Sequence, residues 1–272
     1  MTRKPTRLDR VALSSNISHV SKNDIVEGKR IKYNVTRVTY SGRTHILKSH
    51  VSAYEDLHFP TELNAYCSHD LVSPHIISFI GHLMDTDDKI DGMLLEFGVN
   101  FDIRWYLHKF GPCNWNLKMK WAAQITHGLM EVHKLGMTHG DLRCENVVLD
   151  EGLDAKIIDI VQGTGFMPGW CPWQQHANES IHEPAWDIYS LGVTLWEIIT
   201  DGGTPAENQN PHFEDLALNN VTGLEMANIA QSCLKEDPKD RPTADIVLAK
   251  LGGLIRCGCL AADGNTIPAI KQ

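Results

Sequence analysis

The hydrophobic pattern of this chain changes near Gly98, and that change limits the possible folds more than any other feature of the sequence. Upstream of Gly98, residues 31–40 and 43–48 are rich in β-branched and aromatic side chains and flank a Ser41-Gly42 turn, which predicts a β-hairpin. Two further apolar segments predict additional strands of the same sheet, at 76–80 and 92–97.

Helical patterns account for one segment upstream of Gly98 and for most of the chain downstream of it. Upstream of Gly98, Phe59-Pro60 opens a predicted helix that runs toward Cys67, because proline is well tolerated in the first turn of a helix. Downstream, apolar residues recur at helical spacing over 115–135, and the nearly all-apolar segment 187–200 predicts a helix buried within a larger lobe. Further helices are predicted at 224–234 and 243–254. Strands followed by helices predict an α+β fold with a small N-terminal antiparallel sheet lobe and a larger helical C-terminal lobe. The expected divisions are an N-terminal extension (1–23), the N-terminal lobe (24–97), the C-terminal lobe (98–256) and a tail (257–272).

Composition narrows the function classes. The net charge of −9 disfavours a general nucleic-acid binder. The first thirty residues show no signal-peptide pattern, and no apolar stretch is long enough to span a bilayer. The seven cysteines are scattered and odd in number, which suits reduced thiols better than a disulfide framework. We therefore expect an intracellular, cytoplasmic protein that binds neither nucleic acid nor a membrane.

One constellation of polar residues predicts chemistry. Asp141 and Asn146 stand five residues apart in a predicted loop, and Asp159 follows at the end of an apolar strand. Phosphoryl transfer needs neutralised phosphate charge and a positioned acceptor hydroxyl. A cation at Lys48 would help neutralise the phosphates, Asp141 could accept the hydroxyl proton, and the oxygens of Asn146 and Asp159 suit magnesium. Each residue alone would be unremarkable, so the interpretation rests on their combination and order.

That order resembles the eukaryotic protein kinases over roughly residues 25–254. His139 to Asn146 matches the family's catalytic loop, His-Arg-Asp-Leu-x-x-x-Asn, and Asp159 stands where the family has Asp-Phe-Gly. Residues 187–197 resemble the buried helix that follows the activation segment, and 233–242 resemble the late arginine-containing motif. Arg143 and the segment 196–205 look most like the tyrosine-kinase and tyrosine-kinase-like branch.

The resemblance implies a two-lobed protein kinase-like fold that uses ATP and magnesium. It implies three groups of site residues: catalytic Asp141, Lys48 and Glu62; nucleotide-binding Lys48, Gly28 and Glu96; and metal-binding Asn146 and Asp159. Within the first group, Glu62 is placed to be the helical ion-pair partner of Lys48.

The sequence departs from the kinase pattern around these residues. Counting back from Lys48 places the glycine-rich phosphate loop at 26–31, where only Gly28 fits. Ile160 and Val161 replace Phe and Gly, with Ile160 still able to fill an apolar slot, and Gly140 replaces an arginine. The Ala-Pro-Glu motif is missing, so we expect another anion or carbonyl to bind the late-motif arginine, Arg241.

The sequence leaves open the roles of two tryptophans and the activity of the protein. Trp170 and Trp173 suit either packing or an unusual recognition surface. The leading hypothesis is ATP- and magnesium-dependent phosphotransfer to a Ser, Thr or Tyr hydroxyl of a protein. The alternatives are a pseudokinase that acts as a binding or scaffolding module, and a kinase fold reused for chemistry on a small-molecule acceptor.

Overall fold

The structure is a computed structural model. It describes residues 18–50, 58–68, 71–86, 90–162, 167, 169–171, 183–205, 211–214, 216, 218 and 220–256. Most of the predicted N-terminal extension and the whole predicted tail, residues 1–17 and 257–272, lie outside the described residues.

Strands dominate the first part of the described chain and helices the second, which confirms the predicted two-lobed α+β fold. The elements are β1 Ile25–Lys32, β2 Val35–Tyr40, β3 Arg43–Ser49, α1 His58–Ser68, β4 Phe79–Met84, β5 Ile90–Glu96, α2 Ile103–Phe110, α3 Trp115–Lys134, β6 Val147–Leu149, β7 Ala155–Ile157, α4 Pro184–Ile199, α5 Val221–Cys233 and α6 Ala244–Arg256.

The N-terminal lobe is built on an antiparallel sheet with the strand order β1-β2-β3-β5-β4. Lys48 lies near the end of β3, paired with Val35 of β2 on one side and with Met93 of β5 on the other. The sheet also extends upstream of β1, because the Val20 amide donates to the His82 carbonyl at 2.9 Å and the Val20 side chain is buried.

The structure corrects the predicted position of the phosphate loop. The strand expected over 31–40 is interrupted by a turn at Tyr33-Asn34, and residues 26–31 lie within β1 rather than in a loop. A two-residue turn at Ser41-Gly42, both with positive φ, keeps the β2–β3 hairpin short. The β1–β2 turn therefore lies closer to Lys48 than the backward count predicts.

Gly28 has a structural role in the sheet, and its contact with a nucleotide stays a prediction. It lies in β1 at an irregularity of the pairing with β2, where the register shifts between Glu27 and Arg30. A Cβ atom at Gly28 would stand 2.2 Å from the carbonyl oxygen of Arg37. The glycine is thus required by the close approach of two strands.

The C-terminal lobe is organised around α4, whose residues are buried on nearly all sides. Four of its apolar side chains are fully enclosed, which suits a helix at the centre of a lobe: Leu191, Val193, Leu195 and Ile198. Helix α2 has no counterpart among the predicted helices, because it is short and buries only three residues. Within the described ranges, no helix is long and apolar enough to cross a membrane.

Candidate active site

An ion-pair line joins the two lobes at the cleft between them. Lys48 of β3 contacts Glu62 of α1 through Nζ and Oε2, and the same Nζ lies 2.9 Å from Oδ1 of Asp159. Glu62 is fully buried, and Asp159 follows β7 in the C-terminal lobe. The structure therefore brings together the predicted pair Lys48–Glu62 and one predicted metal ligand.

The three groups shift one another's pKa. Burial alone would lower the pKa of Lys48, but the charges of Asp159 and Glu62 outweigh burial and raise it. Burial raises the pKa of Glu62 to about 7, although the Lys48 ammonium opposes the shift. Burial would also raise the pKa of Asp159, yet Lys48 outweighs that effect and holds the pKa below its ordinary value. Asp159 is thus kept as a carboxylate, the form that binds a cation.

Asp141 and Asn146 are joined on the floor of the cleft. The Asn146 side-chain Nδ2 donates to the Asp141 carbonyl at 2.7 Å and to Asp141 Oδ2 at 2.8 Å. Burial raises the pKa of Asp141 to about 6, and the charge of Arg143 and the bond from Asn146 limit the shift. Arg143 Nε lies 3.5 Å from Asp141 Oδ1. A carboxyl with a pKa near neutrality can accept a proton from a hydroxyl and later release it.

A buried carboxylate, Asp187 of α4, holds the catalytic loop in place. It accepts hydrogen bonds from the amides of His139 at 2.7 Å and Gly140 at 2.9 Å, and it pairs with His133 Nε2 at 2.9 Å. Gly140 has a φ of +86°, which glycine adopts without the cost that a side chain would add. The glycine that replaces the family arginine is therefore consistent with the local backbone.

The segment after Asp159 is tightly held. Ile160 is fully buried in the core, as expected for a residue that fills an apolar slot, and Val161 is buried with its amide bonded to the His139 carbonyl at 2.8 Å. Asp159 and Gln162 both have positive φ, at +59° and +48°. Such a backbone at non-glycine residues is uncommon and marks a position that its surroundings hold in place.

The cleft is a cavity of about 370 Å³, within the size range of small-molecule sites. Apolar side chains form most of its upper and lower walls: Ile31, Val35 and Ile46 from the sheet, and Val148 and Ile158 from below. Four predicted site residues line it: Lys48, Glu96, Asp141 and Asp159. Glu62 contacts Lys48 and Asn146 contacts Asp141, but both side chains are buried and neither belongs to the described lining. Gly28 is absent from the described lining.

Lys32 is a cleft residue that the sequence analysis missed. It stands at the end of β1, directly before the Tyr33-Asn34 turn, and lines the cavity. Its charge contributes to lowering the pKa of Asp159. The signal that would have found it is the turn itself, because the residue before a hairpin turn over a cleft can extend into the cleft.

Glu96 lines the cleft, but its carboxylate is engaged within the protein. One oxygen pairs with Lys156 Nζ, and the other accepts from the Ser78 hydroxyl at 2.8 Å. These bonds outweigh burial and lower the pKa of Glu96. A contact from Glu96 to a nucleotide would therefore have to come from its main chain.

Phe101 has an unusual backbone at the mouth of the cleft. Its φ is +61°, its amide bonds to the Gly98 carbonyl at 3.3 Å, and its carbonyl accepts from the Leu149 amide at 2.8 Å. Its ring lies 4.3 Å from that of Trp105, and 46% of its side chain is exposed. Such a backbone costs on the order of 1 to 3 kcal/mol, whereas an aromatic pair returns about 0.5 to 1.5 kcal/mol.

Trp170 is a packing residue beside the catalytic loop. It is buried, and its Nε1 donates to Glu197 Oε2 at 2.8 Å. Glu197 also pairs with Arg104, and the indole lies beneath the guanidinium groups of both Arg104 and Arg143. Trp173, the second tryptophan left open by the sequence, lies outside the described residues.

Main-chain carbonyls supply the partners that Arg241 was expected to need. The buried guanidinium donates to the carbonyls of Lys235 at 2.8 Å, Ala185 at 2.9 Å and Glu236 at 3.2 Å. It also lies 5.3 Å from the ring centre of Tyr189. The interaction ties the start of α4 to the turn before α6.

The donor groups suit magnesium and a nucleotide. The Asp159 carboxylate and the amide oxygen of Asn146 are hard oxygen donors, the type that magnesium prefers. Apolar walls and the ammonium group of Lys48 line the same cavity, which suits a molecule with a planar base and a phosphate chain. The residues present thus fit both groups that the resemblance implies.

Comparisons with known proteins agree with this geometry. A sequence model of the family described as protein tyrosine and serine/threonine kinase matches residues 25–251. The chain is 32% identical over 151 residues to the tyrosine-protein kinase Shark of Drosophila melanogaster, a match that covers 47% of this chain and 16% of that protein. It is 25% identical over 214 residues to the serine/threonine/tyrosine-protein kinase HT1 of Arabidopsis thaliana, covering 69% and 53%.

A third relative comes from another animal lineage. The chain is 28% identical over 193 residues to the tyrosine-protein kinase HTK16 of Hydra vulgaris, covering 62% of this chain and 25% of that protein. The matched regions thus span between 16% and 53% of the length of these three relatives.

Proposed function

We propose that this chain, which belongs to the protein tyrosine and serine/threonine kinase family, transfers a phosphoryl group from ATP to a Ser, Thr or Tyr hydroxyl of a protein. One observation carries the proposal. Glu62, Lys48 and Asp159 form a continuous ion-pair line across the cleft, and Asp141 and Asn146 are hydrogen-bonded on its floor. Positioning and charge stabilisation are what phosphoryl transfer requires from a protein.

The charge of each site residue indicates which part of the reaction it would serve. Lys48, held by Glu62, would bind phosphate oxygens, and Asp159 and Asn146 would hold magnesium. Bound together, magnesium and ATP supply the transferable phosphoryl group and neutralise part of its charge. Asp141 would accept the proton of the acceptor hydroxyl as that oxygen bonds to the γ-phosphorus of ATP and the bond from this phosphorus to the leaving ADP breaks. Its pKa of about 6 leaves it mostly ionised at neutral pH.

A titration of ATP with and without magnesium tests the proposal. We expect wild-type protein to show a rise in melting temperature with magnesium and ATP, since a ligand that binds only the folded state stabilises it, and to release ADP with a protein acceptor. Asp159→Ala should lose the magnesium-dependent part of both. Glu151→Ala removes an exposed carboxylate outside the cleft lining and serves as the matched control. No melting shift and no ADP release at millimolar nucleotide would overturn the proposal.

The roof of the cleft favours a second candidate, a pseudokinase that binds a nucleotide or a protein without transferring phosphate. Gly28 lies outside the described cavity lining, and Ile31 and Ile46 line the roof with bulky side chains. The turn between β1 and β2, Tyr33-Asn34, contains no glycine, so its backbone lacks the freedom with which a glycine-rich loop approaches phosphates. In the same titration, a melting shift without ADP release would favour this candidate over the enzyme.

A further inference from the structure

Phe101 stands where a glycine would be the less costly residue for folding. It ends the turn formed by residues 98–101, with a φ of +61° that glycine adopts freely and a phenylalanine does not. The two main-chain bonds that hold this backbone use its own amide and carbonyl, and any residue type could make them. The turn therefore does not explain the presence of an aromatic side chain.

Packing does not explain it either. Nearly half of the Phe101 side chain is exposed, and its stacking partner Trp105 is itself 38% exposed. A buried aromatic residue would remove far more apolar surface from water. An uncommon backbone that presents a half-exposed ring at the edge of a cleft is better explained by a ligand than by the fold.

The composition of the cavity lining indicates which part of a ligand the ring meets. The cavity is lined by the charged groups Lys48, Asp141 and Asp159 and also by residues 96–98, 101 and 102 of the segment that joins the lobes. A nucleotide whose phosphates bind the charged groups leaves its nucleoside to contact the apolar remainder of the lining, to which this segment contributes. Phe101 is an aromatic residue of that segment that lines the cavity and is half exposed at its mouth.

We propose that Phe101, braced by Trp105, is a nucleoside-contacting residue that covers the outer end of a bound nucleotide and contributes to nucleotide selectivity. The inference rests on the proposed nucleotide-binding function and deepens it. Aromatic rings bind the flat faces of bases and the apolar faces of sugars by contact and stacking. With no glycine-rich loop of the expected kind over the cleft, a side-chain wall at its mouth would compensate by holding the nucleoside.

Four variants separate this role from a structural one. Phe101→Gly and Phe101→Asn remove the ring and accept the positive φ, because both residue types adopt that backbone readily. Phe101→Tyr keeps the ring. Leu224→Ala removes a half-exposed apolar side chain of α5 that does not line the described cavity, and it is the control.

The measurements are melting temperature without ligand, and dissociation constants by calorimetry for magnesium-ATP, adenosine and magnesium-tripolyphosphate. We expect Phe101→Gly and Phe101→Asn to melt no lower than wild type, because the backbone strain is relieved. Both should bind magnesium-ATP and adenosine about tenfold more weakly, which corresponds to about 1.4 kcal/mol. Tripolyphosphate affinity should change less than about twofold, since 1.4 kcal/mol of contact is lost only where a nucleoside is present. Phe101→Tyr and Leu224→Ala should match wild type for all three ligands.

The outcomes distinguish this inference from the proposed function. Unchanged nucleoside affinity in Phe101→Gly, in a protein whose wild type binds magnesium-ATP, would overturn the role of Phe101 alone. An equal loss for tripolyphosphate, or a large fall in melting temperature, would assign the residue to the fold and also overturn the inference. No binding of magnesium-ATP by wild type would overturn the proposed function together with this inference.

Discussion

The floor and the roof of the cleft hold their charged groups in different ways. On the floor, Asp141 is bonded to Asn146, and the loop that carries it is bonded through two amides to the buried Asp187. On the roof, Lys32 extends from the end of β1 as an exposed side chain, and in the described part of the chain no ion pair involves it. The floor is therefore positioned before any ligand binds, as is Lys48 through Glu62 and Asp159, whereas no such ion pair among the described residues fixes Lys32.

This difference shows where a divergent site can change. A group held by several buried hydrogen bonds cannot be replaced without leaving its partners unpaired, which is costly. An exposed strand end tolerates many side chains. The residues of the floor match the kinase pattern closely, as do the ion-paired Lys48 and Glu62, whereas the strand end that carries Lys32 does not, as this argument expects.

Asp141→Asn is the strongest test of the floor. The variant retains an oxygen for the bond from Asn146 but cannot accept the hydroxyl proton. We expect the phosphotransfer rate to fall by about 10² to 10⁴, the usual contribution of a positioned general base, with magnesium-ATP affinity within about twofold of wild type. Rate constants from single-turnover assays would measure the fall. Turnover at the wild-type rate would show that another group accepts the proton.

The pH dependence of kcat/KM tests the same residue by another route. Because burial raises the pKa of Asp141 to about 6, the ionised base is lost as the pH falls through 6, and the rate should fall about tenfold per unit below that value. The Arg143 charge opposes the shift, so Arg143→Gln should move this acid limb to higher pH. If the acid limb lay at the same pH in wild type and in Arg143→Gln, the assignment of Asp141 as the general base would be contradicted.

Gly28→Ala tests whether this glycine belongs to the sheet or to the phosphate site. The added Cβ would meet the Arg37 carbonyl at 2.2 Å, so we expect the free energy of unfolding to fall by about 1 to 3 kcal/mol. The magnesium-ATP affinity of the folded variant should stay within about twofold of wild type. Urea unfolding and calorimetry measure the two quantities. The reverse result, intact stability with weakened binding, would restore the glycine to the phosphate site.

Lys32→Met probes the roof and should have the smallest effect. Removing one exposed cation near the Asp159 end of the cleft should weaken magnesium-ATP binding by about threefold to tenfold at low salt. The effect should shrink as salt is raised, because exposed charges are screened. Lys29→Met, on an exposed position of β1 outside the described lining, is the matched control. Equal losses in both variants would indicate a general charge effect rather than a contact.

The hydrophobic pattern of the sequence predicted the long helices of the fold but not the short helix α2 or the turn between β1 and β2. The apolar spacing of 115–135 and 187–200 predicted α3 and α4 to within a few residues, because a long amphipathic or buried helix carries many repeats of its period. The eight-residue α2 contains too few repeats of the helical period to be recognised from the sequence. The turn at Tyr33-Asn34 lay between two strand-forming stretches, and its local signal was the single turn-favouring residue Asn34, which was too weak to separate β1 from β2.

By itself the sequence determined the lobe order, the pairing of Lys48 with Glu62, and the grouping of Asp141, Asn146 and Asp159, since motif order carries this information. Only the tertiary structure decided that Lys32 rather than Gly28 reaches the cleft, that Phe101 adopts a left-handed backbone at its mouth, and that three carbonyls bind Arg241. The physical reason is common to all three. Strand register, backbone dihedral angles and carbonyl positions are set by contacts between segments distant in the chain, and side-chain identity alone does not encode them.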